Sequence, residues 1–589
     1  MKLTNGSKIA VIGGGPSGSF FSYFLLDLAK RSDTHIHLDI YEPQDYTIQG
    51  PQGCNHCGGI VSESLVQILA SEGINIPTEV IQTGIDSYVM HTDVGSSKID
   101  TPLDEKRIAA MYRGAGPLKS MGLTESSFDG FLLKLAIQNG ATLINKGVTG
   151  IDIGPPKPIV KTKDGDSDAY DLVVGAVGLN PRSLKMFNEL DFGFSPPQPA
   201  KTYITEFELG KDVVDTYFGN AMHVFLLNLP NLQFAAIIPK GNYVTLAMLG
   251  DKIDRDLVNS FLNAQVVKDC FPRDLELASI NPCKCFPKIN VIGAKQPFCD
   301  RVVLIGDCSI SKLYKNGIGA AFITAKAAAT TALLYGISKK DFTDHYWPAC
   351  KKLDFDNAIG RFVFGVTHFI QKRKSIKRGL LRMVQKEQLK PGEKRYLSTV
   401  LWDTFTGSAP YRSILFRTLK PQFWSNLIWK SFLGLFPVKI KGYKADFNKQ
   451  SRSLGKLYQH GEIIVRQGEE GATLFVIQSG KVEVVQTKDS KEVHLAILTE
   501  GDFFGEMAIF EKDVRSSTVR SIGQTRVLTI DKKTLMNRIQ DDPSLTFRII
   551  QKLSSRIRGI DHKISHIRSI DRRNWNTRPE QLDDRDKGN

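Results

Sequence analysis

Lys8–Ile12 is a short apolar run that ends on Gly13-Gly14-Gly15-Pro16-Ser17-Gly18 and passes into a helical pattern reaching Lys30. Gly13 permits a tight turn after the strand, Gly15 lets a pyrophosphate approach the backbone, and Gly18 lets the helix pack closely on the strand. Pro16 and Ser17 complete the loop, and the helix start presents N–H groups to phosphate. A second strand, His37–Tyr41, ends at Glu42, whose carboxylate stands where it can accept ribose hydroxyls. Strand, helix, strand and acid in this order predict a doubly wound α/β opening that holds a dinucleotide. The motif alone does not separate FAD from NAD.

The chain is too long for one fold: 589 residues correspond to several domains of roughly 100–200 residues each. Hydrophobic residues at 41% and charged residues at 24% exclude a mainly unfolded chain. No run of 18 apolar residues stands out as a spanning helix, and MKLTNGSKIAVIGGG lacks the apolar core of a secretory signal. Eight cysteines over this length suit reduced thiols in a cytoplasm better than a disulfide scaffold. We expect a flavin-type domain over 1–340, with an antiparallel β substrate region at about 195–290. A helical basic segment follows over 341–450, then a β-roll with flanking helices over 451–565 and a polar tail over 566–589.

The second half of the first domain favours FAD. Arg301–Ile305 reads as a strand ending in Gly306-Asp307, and Asn316-Gly317-Ile318-Gly319 precedes an Ala-rich helix. This arrangement resembles the flavoproteins that include geranylgeranyl reductases and aromatic hydroxylases. The resemblance implies that Gly306-Asp307 holds the ribityl chain and that the Gly317–Gly319 helix start faces the flavin's pyrimidine edge. Asp171–Gly178 is similar to that family's third fingerprint, with Val177 where an acid is usual, which argues against the hydroxylase branch.

Gly53-Cys54-Asn55-His56-Cys57-Gly58-Gly59-Ile60 resembles the Cys–Gly-rich motif of geranylgeranyl reductases. By that resemblance Cys57 and Gly58 lie close to the isoalloxazine, and Cys57 is the candidate catalytic thiol. An inert buried thiol, or a metal site with Cys54 and His56 and distant Cys283 and Cys285, are the competing readings; we assign no metal. Phe234-Ala235-Ala236-Ile237-Ile238-Pro239-Lys240 replaces an aromatic prenyl-channel strand by smaller aliphatic residues. The implied activity is reduction of a C=C bond in an isoprenoid or other lipid-like substrate, with an unidentified electron donor. An FAD monooxygenase and a non-catalytic flavoprotein scaffold are the alternatives.

Charge is concentrated further along. Residues 371–450 hold eighteen Lys and Arg against four Asp and Glu, an excess of fourteen within a chain of net charge +15. Aromatic residues are interleaved with these cations, which suggests peripheral attachment to an anionic membrane surface; a solvated helix face is the simpler reading. No nucleic-acid-binding pattern supports the third.

Residues 454–560 resemble the cyclic nucleotide-binding domain. Phe504-Gly505-Glu506-Met507-Ala508-Ile509-Phe510 followed by Arg515-Ser516-Ser517-Thr518 matches that family's phosphate-binding cassette. The resemblance implies that Gly505 and the helix after it face the cyclic phosphate, with Met507 and Ala508 in that helix. Arg515 pairs with the phosphate, Glu506 accepts the ribose 2′-hydroxyl, and Ser516 and Ser517 donate nearby. The ligand is cAMP or cGMP as an effector, and Pro543–Arg558 would be the lid helix. Only about thirty residues follow Ile560, so a catabolite-activator type of transcription factor is not expected.

Overall fold

The computed structural model describes residues 1–558 except 51–56, 102–104, 118–126, 155, 166, 276–282, 390–394, 434, 436–449, 472, 489–490, 511–513, 533–534, 537–538, 540–545, 547–548, 552 and 555–556. Cys54 and His56, most of the expected lid helix and the polar tail therefore lie outside the described residues. The chain divides into two compact units, 1–68 with 75–457, and 69–74 with 458–589.

In the larger unit a six-stranded sheet runs Phe298–Cys299, Val302–Leu304, Leu172–Gly175, Lys8–Ile12, His37–Tyr41, Thr142–Ile144. Lys8–Ile12 is central and pairs in parallel with both neighbours, Val11 standing opposite Val174 and Ile40. Its last four residues are buried, as a parallel strand covered on both faces requires. Helices Pro16–Arg31 and Gly317–Thr330 pack on each other through Phe20, Phe24 and Phe322, whose rings meet edge to face at 5.4 and 5.2 Å. Among the described residues Gly317–Tyr335 is the one stretch long and apolar enough to cross a membrane, with mean hydropathy 1.4, and most of it is buried in this packing.

A second, larger sheet forms the substrate region. Its strands Gln198–Glu208, Tyr243–Gly250, Leu232–Lys240 and Ala221–Phe225 lie within the region expected at about 195–290. It is not purely antiparallel, however. Ser87–Thr92 joins it by pairing in parallel with Ala221–Phe225, and Gly95–Asp100 extends that edge. Period-two alternation then divides the strand Leu232–Lys240. Ala236 and Ile238 enter a core shared with Leu380, Leu401, Trp402 and Phe405, whereas Ala235 and Ile237 enter one built around Phe225 and Phe261.

The segment expected to be helical contains Trp347–Gln371, Lys374–Gln388, Tyr396–Thr406, Tyr411–Thr418 and Pro421–Leu433. The helix Tyr396–Thr406 is fixed by a buried polar network. Trp402 Nε1 donates to Glu63 Oε2 at 2.7 Å, and Arg107 holds Glu63 Oε1 at 2.7 Å.

The smaller unit is a β-roll. Thr473–Lys488 pairs with Lys491–Thr499 on one side and Thr518–Asp531 on the other, with Phe503–Phe504 added at its start. Val465, Ile477, Val482, Leu498, Phe504, Val519 and Val527 fill its core.

Candidate functional sites

The larger unit brings the expected cofactor residues together at the strand ends. Gly13 has φ +108, and Gly18 lies so near Gly13 that a Cβ would overlap its carbonyl oxygen. Only a glycine at 18 leaves room for this close approach of helix and strand. A Cβ on Gly15 would meet nothing closer than 3.8 Å, where Arg113 Nη2 lies, with Asp129 Oδ2 and Tyr46 Oη at 4.0 Å. Gly15 thus borders an open, polar cradle. The helix Pro16–Arg31 begins with Pro16, has no side-chain cap at Gly15 and carries no acid in its first turn. Its positive end is left for an anion.

Glu42 stands at the end of the second strand, as the motif requires, but its carboxylate is already engaged. Oε2 accepts from the Gly14 N–H at 2.8 Å and from Tyr46 Oη at 3.0 Å, and Oε1 accepts from the Gln44 N–H at 2.8 Å. Glu42 organises the glycine loop, and capacity for a ribose hydroxyl remains chiefly on Oε1.

Gly306, at φ +68, packs against Ser17, whose Oγ occupies the space a Cβ would need. Asp307 follows in a one-turn 3-10 helix. Burial pushes its carboxyl pKa up, while the Ser311 hydrogen bond and the Arg113 charge pull the other way. A Cβ on Gly317 would lie 3.3 Å from Ser311 Oγ and 3.9 Å from Asp307 Oδ1. Asp307 and the Gly317 helix start therefore face one space. Gly319 departs from its expected role. Its N–H donates to Asn316 Oδ1 at 3.1 Å, within the helix cap, so only the residues before it can offer N–H groups outward.

Cys57 is partly exposed, and its Sγ accepts from the Gly59 N–H at 3.4 Å. The Arg113 guanidinium interacts electrostatically with it. Gly58 packs on the substrate sheet, where a Cβ would touch Ile238 at 3.6 Å and Ala247 at 3.9 Å. Gly59 has φ +67, and a side chain there would collide with the Met111 carbonyl.

Several residues at this site carry no local sequence signal. Arg113 forms a two-point pair with Asp129, Nε–Oδ1 at 3.0 Å and Nη2–Oδ2 at 2.7 Å. Burial alone would lower its pKa, but Asp129 holds the guanidinium firmly charged. Lys240 is buried behind Gly59, 3.6 Å from Glu206 Oε1 and 4.5 Å from the Tyr112 ring centre. Lys315 donates to the Thr404 carbonyl and sits among the rings of Phe234, Phe364 and Phe405 at 5.0–5.5 Å. Burial, with Lys312 nearby, holds its pKa well below the ordinary lysine value. Phe234 stacks on Phe364 at 6.1 Å, so aromatic residues from the helices stand beside the aliphatic strand.

On the opposite side of the substrate sheet His91, His223 and Cys270 bring donor atoms within 4.8 Å of one another. His91 Nε2 and His223 Nδ1 are hydrogen-bonded at 3.0 Å, and Ser96 Oγ holds His91 Nδ1 at 2.8 Å. Burial drives the His91 pKa down to about 3 and that of His223 in the same direction. The couple is neutral at ordinary pH.

The second site lies in the β-roll. Phe504 packs face to face with Phe475 at 5.1 Å, and Gly505 follows with φ +82. Glu506 is buried, and Met507–Phe510, which includes Ala508, forms a single helical turn. Arg515 crosses the cassette: Nη1 donates to the Gly505 carbonyl at 2.8 Å, and Nη2 to Thr473 O at 2.9 Å and Oγ1 at 3.0 Å. The guanidinium expected to meet a phosphate is thus already holding the loop. Burial lowers its pKa, countered by the charges of Glu469 and Glu506. Ser516 is exposed beside Met507, and Ser517 is half-buried.

Similarity to known proteins follows the same division. A variant of the halogenase PltM in complex with FAD gives a TM-score of 0.48 at 11% identity, over 73% of this chain and 91% of that one. A variant of Klebsiella pneumoniae HpxO complexed with FAD gives 0.43 at 14%, over 72% and 98%. A cAMP-dependent protein kinase regulatory subunit of Schizosaccharomyces pombe is 34% identical over 125 residues, 21% of this chain and 29% of that protein. A CRP-like cAMP-activated global transcriptional regulator of Mycobacterium tuberculosis is 29% identical over 137 residues, 23% of this chain and 58% of that protein. The match thus spans less than two thirds of either relative. The family model of the cyclic nucleotide-binding domain matches residues 456–542. That stretch of the chain is a cyclic nucleotide-binding domain related to cAMP-binding proteins.

Proposed function

We propose that the chain is an FAD-dependent oxidoreductase acting on an apolar, lipid-like substrate, with a cyclic nucleotide as its effector. One observation carries the flavin reading: Arg113 stands beside Gly15 and interacts electrostatically with both Asp307 and Cys57, Asp307 lies beside Gly317, and Gly58 rests on an apolar wall. The residues fit FAD. The Gly15 cradle and the helix start suit a pyrophosphate, with Arg113 adding positive charge. Glu42 and Asp307 offer acceptors to hydroxyls at opposite ends.

When bound, FAD supplies hydride chemistry at N5. The protein's share is orientation and proton supply. Ile238 and Ala247, on which Gly58 packs, form an apolar wall that would exclude water beside the substrate. In C=C reduction Cys57 Sγ, or a water beside it, would hand a proton to one alkene carbon, while the bound cofactor would supply the hydride for the other. Reduction of the flavin for the next turnover needs an external electron donor.

Within this reading an isoprenoid alkene is the favoured substrate class. The test is to reduce the purified protein anaerobically and add geranylgeranyl lipids. Reoxidation of the flavin with a product two hydrogens heavier supports reduction; oxygen-dependent turnover with a product one oxygen heavier would establish a monooxygenase instead. A flavin that neither substrate class reoxidises would mark a scaffold.

In the β-roll, cyclic phosphate would displace the Gly505 and Thr473 carbonyls from Arg515, and Glu506 would take the 2′-hydroxyl. Binding then rearranges the loop between Gly505 and Arg515, the change through which the effector would act.

A further inference from the structure

Helices Trp347–Gln371, Lys374–Gln388 and Pro421–Leu433 enclose an open cleft of about 470 Å3 with an almost wholly apolar lining. Phe362, Phe369 and Trp424 form its rim, and Ile370, Ile376 and Leu427 its floor. Phe355, Phe362 and Phe369 recur at seven-residue spacing along one helix and are 63%, 60% and 50% exposed. A spacing of seven returns to nearly the same helix face, so the three rings make a ridge. Ile428, Trp429 and Phe432 add to it from Pro421–Leu433, each more than half exposed. Large apolar groups gathered in this way mark a surface that is covered in use.

The charges around the ridge indicate what covers it. Arg361 on the ridge's helix and Lys372, Arg373 and Lys374 just after it are exposed, and the Arg373 guanidinium lies 3.6 Å over the Phe369 ring. The described acids of residues 371–450, Glu387 and Asp403, are turned to other work. Glu387 accepts from the Leu397 and Ser398 N–H groups at 2.9 and 2.7 Å, and Asp403 pairs with Arg417. Among the described residues Arg361, Lys372, Arg373 and Lys374 form no ion pair, and Asp354 is an exposed acid at the far end of the ridge. None of these three helices is long and apolar enough to cross a bilayer.

We propose that this face docks on the anionic leaflet of a lipid bilayer. The aromatic ridge enters the boundary between headgroups and acyl chains, the cations meet lipid phosphates, and the cleft takes a hydrocarbon chain. Ile370, Ile376 and Leu427 pack in the same apolar cluster as Ala236 and Ile238, so the cleft floor is continuous with the wall beside Gly58. A membrane-dissolved chain would thus meet apolar contacts from the surface inward. Docking itself does not depend on the flavin reading.

Flotation of the full chain with phosphatidylcholine vesicles, with and without phosphatidylglycerol, tests this. Anionic vesicles should carry the protein and neutral ones should not, and added salt should weaken the attachment. R373E/K374E should bind at least about tenfold more weakly. F362S/F369S changes exposed residues only, and should bind less tightly while keeping its melting temperature. Brominated acyl chains should quench wild-type fluorescence more than that of W424F/W429F. Equal flotation with neutral and anionic vesicles would overturn the proposal, as would full attachment by both double variants. So would an aromatic variant that converts a dimer to a monomer with flotation unchanged, because a second copy would then be the partner.

Discussion

Arg515→Ala separates two jobs that one guanidinium performs. Without ligand, Arg515 supplies three hydrogen bonds to Gly505 and Thr473 and lies 5.6 Å from the Phe475 ring centre. Truncation leaves two main-chain acceptors without that donor, each worth about 1–3 kcal/mol if water cannot replace it. The β-roll should therefore melt at a lower temperature even without nucleotide. With nucleotide, the loss is a charge-assisted bond to phosphate of about 1.5–3 kcal/mol, or roughly 10- to 150-fold in affinity. Arg515→Lys keeps charge but not the fork, and should fall between wild type and alanine. Calorimetry with cAMP and cGMP measures the affinity, and thermal melts of the same samples measure the stability. An alanine variant that melts lower yet binds as tightly as wild type would confine Arg515 to loop support and refute its phosphate role.

Gly15→Val projects into the cradle without meeting main chain, so it should yield a folded, colourless protein; full flavin occupancy would contradict the cradle's assignment. Gly59→Ala forces a side chain into φ +67 and onto the Met111 carbonyl, and should cost at least about 1–3 kcal/mol in thermal or denaturant unfolding. Glu63→Ala removes one of the two carboxylates on buried Arg107, Glu105 remaining at 3.3 Å, and the acceptor of Trp402 Nε1, and should cost about 1–3 kcal/mol; a loss under about 0.5 kcal/mol would show that the network carries little. The buried histidines predict acid sensitivity. The unfolded chain protonates His91 at its ordinary value of 6.5 and the folded chain only near 3, so stability is fully present above 6.5 and falls between those values. His91→Gln should flatten that part of the stability–pH curve, as measured by urea unfolding.

What the sequence made legible is local. Gly13, Gly15 and Gly18 state their roles because a turn, a cradle and a helix contact must follow one another within six residues. The cassette from Phe504 to Ser517 is legible for the same reason. Arg113 was not, because its meaning depends on Asp129 and on a loop nearly a hundred residues earlier. The parallel pairing of Ser87–Thr92 with Ala221–Phe225 is equally silent, since alternation gives a strand's faces but not its neighbour. The His91–His223–Cys270 cluster exists only through that pairing and the turn after Gln265–Lys268 that brings in Cys270. Glu42 and Gly319 were found at the right places, yet one braces the glycine loop and the other is tied up by its own cap. Position in a motif fixed where those groups stand, and the hydrogen-bond partners decided how much of each remains for a ligand.

The central claim is a flavin site in a chain that also carries a cyclic nucleotide sensor, and its most direct test is the absorption spectrum of the purified full chain. Heat-released cofactor should be identified by chromatography, and flavin reoxidation followed with and without cAMP. The account predicts stoichiometric FAD, its loss in Gly15→Val, and a reoxidation rate that changes when nucleotide saturates the β-roll. A folded protein that neither contains FAD nor takes it up when supplied would contradict the account at its base.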